Sequence, residues 1–156
     1  MKWELNEDFY DFLVALLETE TAFVVVGAHA LAAHGVVRAT GDLDILYPAT
    51  AENTARLFAA LSRFGAPVAA HAVTAESLSV PYSIYQMGLP PRRIDLINRI
   101  HGPSTDQVWA NRIEVEIEGL RVPFIARQDL LDNKRARARA KDLLDVELLL
   151  KLAPTR

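Results

Sequence analysis

The sequence predicts an α/β (α+β) fold, a mixed β-sheet flanked by helices, and three observations lead there. Two short apolar stretches near the start are each followed by a helix-like segment, which reads as βαβα. Two later pairs of extended stretches are joined by glycine-containing turns, which reads as hairpins. From about residue 127 the chain carries leucines at helical spacing. No internal repeat, low-complexity tract or linker divides it, so 1–156 is expected to form a single domain with C-terminal helices from about 127.

Each element has its own signals. Residues 6–18 read as a helix with Asn6 as N-cap, Glu7 and Asp8 in the first turn, and Phe9, Phe12, Leu13, Leu16 and Leu17 as its apolar stripe. Residues 22–26 form a short buried strand. An alanine-rich helix follows over 27–34 and stops at Gly35. Residues 38–46 are extended and end before Pro48. Thr50 opens a helix to Phe64, with Leu57, Phe58 and Leu61 turned inward and Gly65 at its end. The stretch 66–79 reads as a short strand and a loop. Residues 82–87 and 92–97 read as strands joined across Gly88-Leu89-Pro90-Pro91, and a helical turn covers 105–109. Ile113, Val115 and Ile117 alternate with Glu114, Glu116 and Glu118, and Gly119 turns this strand into 120–125. Residues 127–152 read as helical, with Leu130, Leu131, Leu143, Leu144, Val146, Leu148 and Leu149 as core candidates.

Composition narrows the chemistry. With 51% hydrophobic and 24% charged residues, the chain can bury a core of its own. It has no cysteine, which removes disulfides, zinc–thiolate sites and thiol nucleophiles. The acidic, polar start at 1–8 is unlike a signal peptide. The longest apolar stretch, 23–37, is too short to span a bilayer. A cytoplasmic protein with no membrane partner is expected. A net charge of −3 does not mark the whole surface for nucleic acid. Lys134, Arg135, Arg137, Arg139 and Lys141 are nevertheless clustered, as a solvated helix face or as a phosphate-contacting surface.

The carboxylates carry the strongest signal. Asp42 and Asp44 lie one residue apart in an extended segment, so both project from the same face of the sheet. Asp95 sits on a separate expected strand. Paired carboxylates repel unless a cation lies between them, and three acids make a pocket for a hard divalent metal. Asp-x-Asp alone is also what turn chemistry produces. Gly27 upstream and Asp95 downstream favour the metal site. His29 and His34 are five apart, off one helix face, so packing or surface roles are expected rather than a metal pair. Trp3 and Trp109 read as packing residues. His71 and His101 carry no assigned role. Asp142 and Asp145 either cap a helix or pair with the basic residues beside them.

The run from Val26-Gly27-Ala28-His29 through Arg38-Ala39-Thr40-Gly41-Asp42-Leu43-Asp44, with Asp95 and then Lys134…Arg139-Ala140-Lys141-Asp142-Leu143-Leu144-Asp145, resembles the DNA polymerase β-type nucleotidyltransferase superfamily. Its minimal bacterial branch, the AbiEii-like toxins, carries these motifs in the same order, and the likeness runs over about 23–149. The chain departs from the pattern at Ala28, where the family usually has glycine or serine. The resemblance implies a nucleotidyltransferase fold. It also implies transfer of an NMP group from an NTP to a hydroxyl on a protein, a tRNA or a small molecule. Asp42, Asp44 and Asp95 would be the catalytic and metal-binding acids, using Mg²⁺ or Mn²⁺. Gly27, Ala28, Arg38, Thr40 and Lys134 would contact the nucleotide, with Arg38 and Thr40 sharing the face of Asp42. For Lys134 a solvated helix face stands as the alternative. Arg139, Lys141 and Asp142 are further candidates. A partner protein or a second copy would hold the acceptor, as in a toxin–antitoxin pair. The alternative is a catalytically degenerate nucleotide-binding or protein-interaction module, to which Ala28 points.

Overall fold

Residues 5–152 are described by the computed structural model; Trp3 and the rest of 1–4 lie outside the described residues. Six strands form one mixed sheet: β1 (Val24–Val26), β2 (Asp42–Leu46), β3 (Ile84–Met87), β4 (Arg93–Ile97), β5 (Ile113–Ile117) and β6 (Leu120–Phe124). Their order across the sheet is β3-β4-β2-β1-β6-β5. β1 is antiparallel to β2 and parallel to β6, β2 is parallel to β4, and the two hairpins form the outer pairs. The central β1 is buried at all three valines, as a strand covered on both faces must be.

Helices cover the sheet: α1 (Glu7–Glu18), α2 (Gly27–Ala33), α3 (Ala51–Phe64), α4 (Ala75–Leu78), α5 (Thr105–Asn111), α6 (Arg127–Arg137) and α7 (Ala140–Leu150). Local capping explains their starts. The Asn6 side chain accepts from the Phe9 N–H and that of Thr50 from the Asn53 N–H. Gly65 ends α3 at φ +88°, a left-handed C-cap. α1 packs on α3, with the Phe12 and Phe64 rings edge to face at 5.2 Å. Phe12, Leu13, Leu16, Leu57 and Leu61 are buried there, and each contributes about 1.5–3 kcal/mol of hydrophobic stabilisation. Asn53 is a buried polar residue in this layer; it accepts from Ala22 N and donates to the carbonyls of Ala22 and Pro48.

Four expectations are corrected. The stretch 66–79 has no strand; it consists of turns and α4, whose Thr74 and Ser77 exchange side-chain to backbone bonds. Residues 38–40 lie outside regular structure, because β2 begins only at Asp42. The C-terminal segment is two helices, broken at Ala138 (φ +54°). Leu143 and Leu144 are 48% and 46% exposed, since the break rotates α7 so that Asp142, Asp145, Val146 and Leu149 face inward instead.

Candidate active site

β2 alternates as a half-buried strand must: Leu43 and Ile45 enter the core, while Asp42 and Asp44 point to the other face. The parallel register sets Asp42 beside Arg93 and Asp44 beside Asp95. One carboxylate oxygen each from Asp42, Asp44 and Asp95 lies within 4.8 Å of the others. In the antiparallel pairing of β1 with β2, Val26 is opposite Asp44, so Gly27 follows immediately over that carboxylate. Gly27 has φ +72°, and a Cβ there would lie 2.1 Å from Asp44 Oδ2. Glycine is required at this position twice over: for the backbone conformation and for the close approach.

The cluster is electrostatically loaded. Burial, reinforced by the charges of Asp95 and Asp42, pushes the Asp44 carboxyl up to about 7. Burial also raises Asp95, against the opposing pull of Arg93. Arg93, the residue that alternates with Asp95 on β4, answers part of this charge. Its Nη2 donates to Asp42 Oδ2 at 2.6 Å, and its Nε lies 3.1 Å from Asp95 Oδ1 without hydrogen-bond alignment. Arg93 was not singled out by the sequence reading. Its signal was the two-residue spacing to Asp95, the same spacing that exposed Asp42 and Asp44.

Two cavities meet at Asp44. The first, about 340 Å³, runs from Gly27 and Ala28 past Arg38, Thr40 and Asp42 to the basic side chains of the C-terminal helices. Four members of the basic cluster line it: Lys134, Arg137, Arg139 and Lys141. The second, about 330 Å³, opens over Asp95. Gly27, Asp44, Lys134 and Arg137 border both.

The remaining predicted residues fall as follows. Thr40 Oγ1 donates to the Asp42 carbonyl and accepts from the Asp42 N–H, which fixes the start of β2. Arg38 pairs with Asp145 of α7. Lys134 is not on a solvated face. It is buried, with Nζ 3.4 Å from Asp142 Oδ1 and 3.2 Å from Asp145 Oδ2. Asp142 both caps and pairs, accepting from Arg139 N and from Arg139 Nε at 2.6 Å. The Arg139 hydrogen bonds, with Lys134 beside them, hold its carboxyl well below the usual carboxylate range. His29 and His34 are both buried, and neither belongs to the carboxylate cluster. His34 Nε2 donates to the Ile125 carbonyl at 2.8 Å, and burial pulls His29 down to about 4. Trp109 packs under the Arg112 guanidinium at 3.6 Å.

No protein-family model and no curated protein sequence matches the chain. Solved structures do. One is the lincosamide antibiotic adenylyltransferase LnuA in its lincomycin-bound form, at a TM-score of 0.55 and 12% identity, over 96% of this chain and 99% of that one. The chain has the fold of a nucleotidyltransferase. The antibiotic-resistance factor ANT(2'')-Ia shares it too, at a TM-score of 0.57 and 15% identity, over 92% of this chain and 81% of that one. At these identities the likeness carries the fold, and the chemistry rests on this chain's own residues.

Proposed function

We propose that the protein is a metal-dependent nucleotidyltransferase that moves an NMP group from an NTP to a hydroxyl acceptor. The observation that carries this reading is the position of the three-carboxylate cluster at the junction of two cavities, one of them walled by cations. The donor set fits a hard divalent ion: three carboxylates, all oxygen, with Asp44 and Asp95 shifted toward the protonated form chiefly by burial. Asp42, Asp44 and Asp95 would hold Mg²⁺ or Mn²⁺, which when bound supplies charge neutralisation for the phosphates and a more acidic hydroxyl.

The residues themselves divide the work. The triphosphate lies in the first cavity, against the N–H groups of Gly27 and Ala28 and the cations of Arg137 and Lys141. Among the described residues those two have no carboxylate partner. Arg38, Arg139 and Lys134 are engaged with Asp145 and Asp142, so they act by shaping this wall and adding to its field. The acceptor oxygen enters from the second cavity, where Asp95 lies. It bonds to the α-phosphorus, the bond between that phosphorus and the bridging oxygen breaks, and pyrophosphate leaves. The hydroxyl proton passes to Asp95, the carboxylate on the acceptor side of the cluster. Assignment to the AbiEii-like branch, with a partner protein in a toxin–antitoxin pair, extends this reading through the C-terminal motif Arg139…Asp145.

One observation favours a second reading, a non-catalytic nucleotide-binding module. Arg93 already pairs with both Asp42 and Asp95 and offsets part of their charge. Incubation with each α-³²P-labelled NTP, Mg²⁺ or Mn²⁺, total tRNA and cell lysate separates the two. Transfer of label by the wild type, absent from an Asp42→Ala/Asp44→Ala variant, supports the enzyme. NTP binding without transfer leaves the module.

A further inference from the structure

The second cavity is built differently from the first, and its lining has a definite charge preference. Apart from Asp44 and Asp95, which face the reaction centre, it carries no carboxylate. Its remaining charged side chains are cations: Arg99, Arg137 and the internally paired Lys134. Arg99 is exposed, and its guanidinium stacks over the Tyr82 ring at 5.2 Å. Among the described residues neither Arg99 nor Arg137 has a carboxylate partner. Ile84, Ile97 and Ile100 supply the apolar part of the lining. The loop that carries Ile100 and His101 is pinned to α6, because Asn133 Nδ2 donates to the His101 carbonyl at 2.8 Å.

A polycationic acceptor would need carboxylates on this wall and would meet two guanidinium groups instead, a like-charge juxtaposition that selects against it. We propose that the second cavity takes an anionic acceptor: a hydroxyl compound bearing a phosphate, with a flat or apolar face. Arg99 receives the phosphate by bidentate contact, and Arg137, on the border of the two cavities, adds its charge. The isoleucines receive the flat face, and the hydroxyl lies toward Asp95. This is the chemistry of a mononucleotide or of a polynucleotide end. The proposal rests on the nucleotidyl-transfer reading, because it assigns the triphosphate to the first cavity.

The test is direct calorimetric binding to protein loaded with Mg²⁺ and α,β-methylene-ATP, which fills the first cavity without reacting. The probes are uridine 5′-monophosphate, a short oligoribonucleotide with a free 3′-hydroxyl, and the polycation kanamycin. The expected result is binding of one or both phosphate compounds and none of kanamycin. Affinity should fall about tenfold in Arg99→Glu and by less in Arg99→Lys, which keeps the charge and loses the bidentate fork. The monophosphate and oligoribonucleotide arms tell a small acceptor from a polynucleotide end. Affinity for the ATP analogue is read on every variant, so a fault in folding or in the first cavity shows separately. Kanamycin binding in preference to the phosphate compounds, or phosphate binding indifferent to Arg99→Glu, overturns the anionic acceptor and leaves nucleotidyl transfer standing. Failure of the ATP analogue to bind at all sinks the underlying reading, and the acceptor assignment with it.

Discussion

At the residue scale two residues control the carboxylate cluster, and neither is a carboxylate. Gly27 leaves the space that Asp44 occupies. In Gly27→Ala the added methyl meets Asp44 Oδ2 at 2.1 Å in a left-handed conformation, which by itself costs about 1–2 kcal/mol. The variant is expected to melt at lower temperature and to lose Mn²⁺ binding, read by thermal denaturation and by titration. An unchanged Mn²⁺ affinity would show that Gly27 does not shape the cluster. Arg93 is the cluster's internal counter-ion. Arg93→Gln leaves Asp42 and Asp95 without their guanidinium, so the metal-free protein should be less stable, while added Mn²⁺ should raise the melting temperature by more than in the wild type. An equal Mn²⁺ response in both proteins contradicts that role. Asp42 and Asp44 were legible in the sequence because strand alternation has a fixed period of two, and Asp95 from its place on a second expected strand and from the family resemblance. Arg93 obeys the same period, but an arginine beside an acid also reads as an ordinary surface pair until the register of β2 on β4 is known.

At the element scale the α6–α7 corner builds the cationic wall. Lys134 is sandwiched between Asp142 and Asp145, and Asp145 also receives Arg38 from the segment before β2. Removing one partner strands a buried charge, so Lys134→Met is expected to cost about 3–5 kcal/mol and to loosen the first cavity. Chemical denaturation checks the stability, and NTP titration checks the cavity. Ala138, by contrast, holds a left-handed corner where glycine is the usual residue. Ala138→Gly should therefore raise stability by up to about 1 kcal/mol, with no loss of NTP binding. Most elements were legible because capping is local: Asn6, Thr50, Gly65 and Gly119 mark their ends in the sequence. The α6–α7 break was not, because alanine carries no stop signal and the turn is imposed by Asp142 reaching back to Arg139. That break also explains why Leu143 and Leu144, expected in the core from their helical spacing, lie on the outside.

At the scale of the whole molecule the cluster ties stability to pH. The Asp44 carboxyl binds its proton more tightly folded, at about 7, than unfolded, at 3.8. Its contribution is therefore present at low pH and is lost as pH rises through 7 in the metal-free protein. His29 slopes the other way: kept neutral by burial, it favours folding above the ordinary imidazole value of 6.5 and loses that contribution as pH falls toward 4. A comparison with Asp44→Asn cancels the His29 effect. The variant should gain on the wild type as pH rises from 5 to 8 without metal, read as the difference in melting temperature. A pH-independent difference would contradict a shifted Asp44. Asp142, whose carboxyl is depressed, adds stability above the ordinary carboxylate range that is lost on acidification below it. The order of fold elements and the Asp42–Asp44 pair are sequence-local patterns. The two cavities, which share Gly27, Asp44, Lys134 and Arg137, are long-range consequences of sheet order, which juxtaposes β1, β2 and β4 with the C-terminal helices.

The most direct measurement is a calorimetric titration of α,β-methylene-ATP into wild-type and Asp44→Asn protein, each with and without Mn²⁺. A metal-coupled nucleotide site at Asp42, Asp44 and Asp95 predicts binding by the wild type that requires Mn²⁺ and disappears in Asp44→Asn. Binding that is equal in both proteins and indifferent to Mn²⁺, or no binding in either, would contradict it.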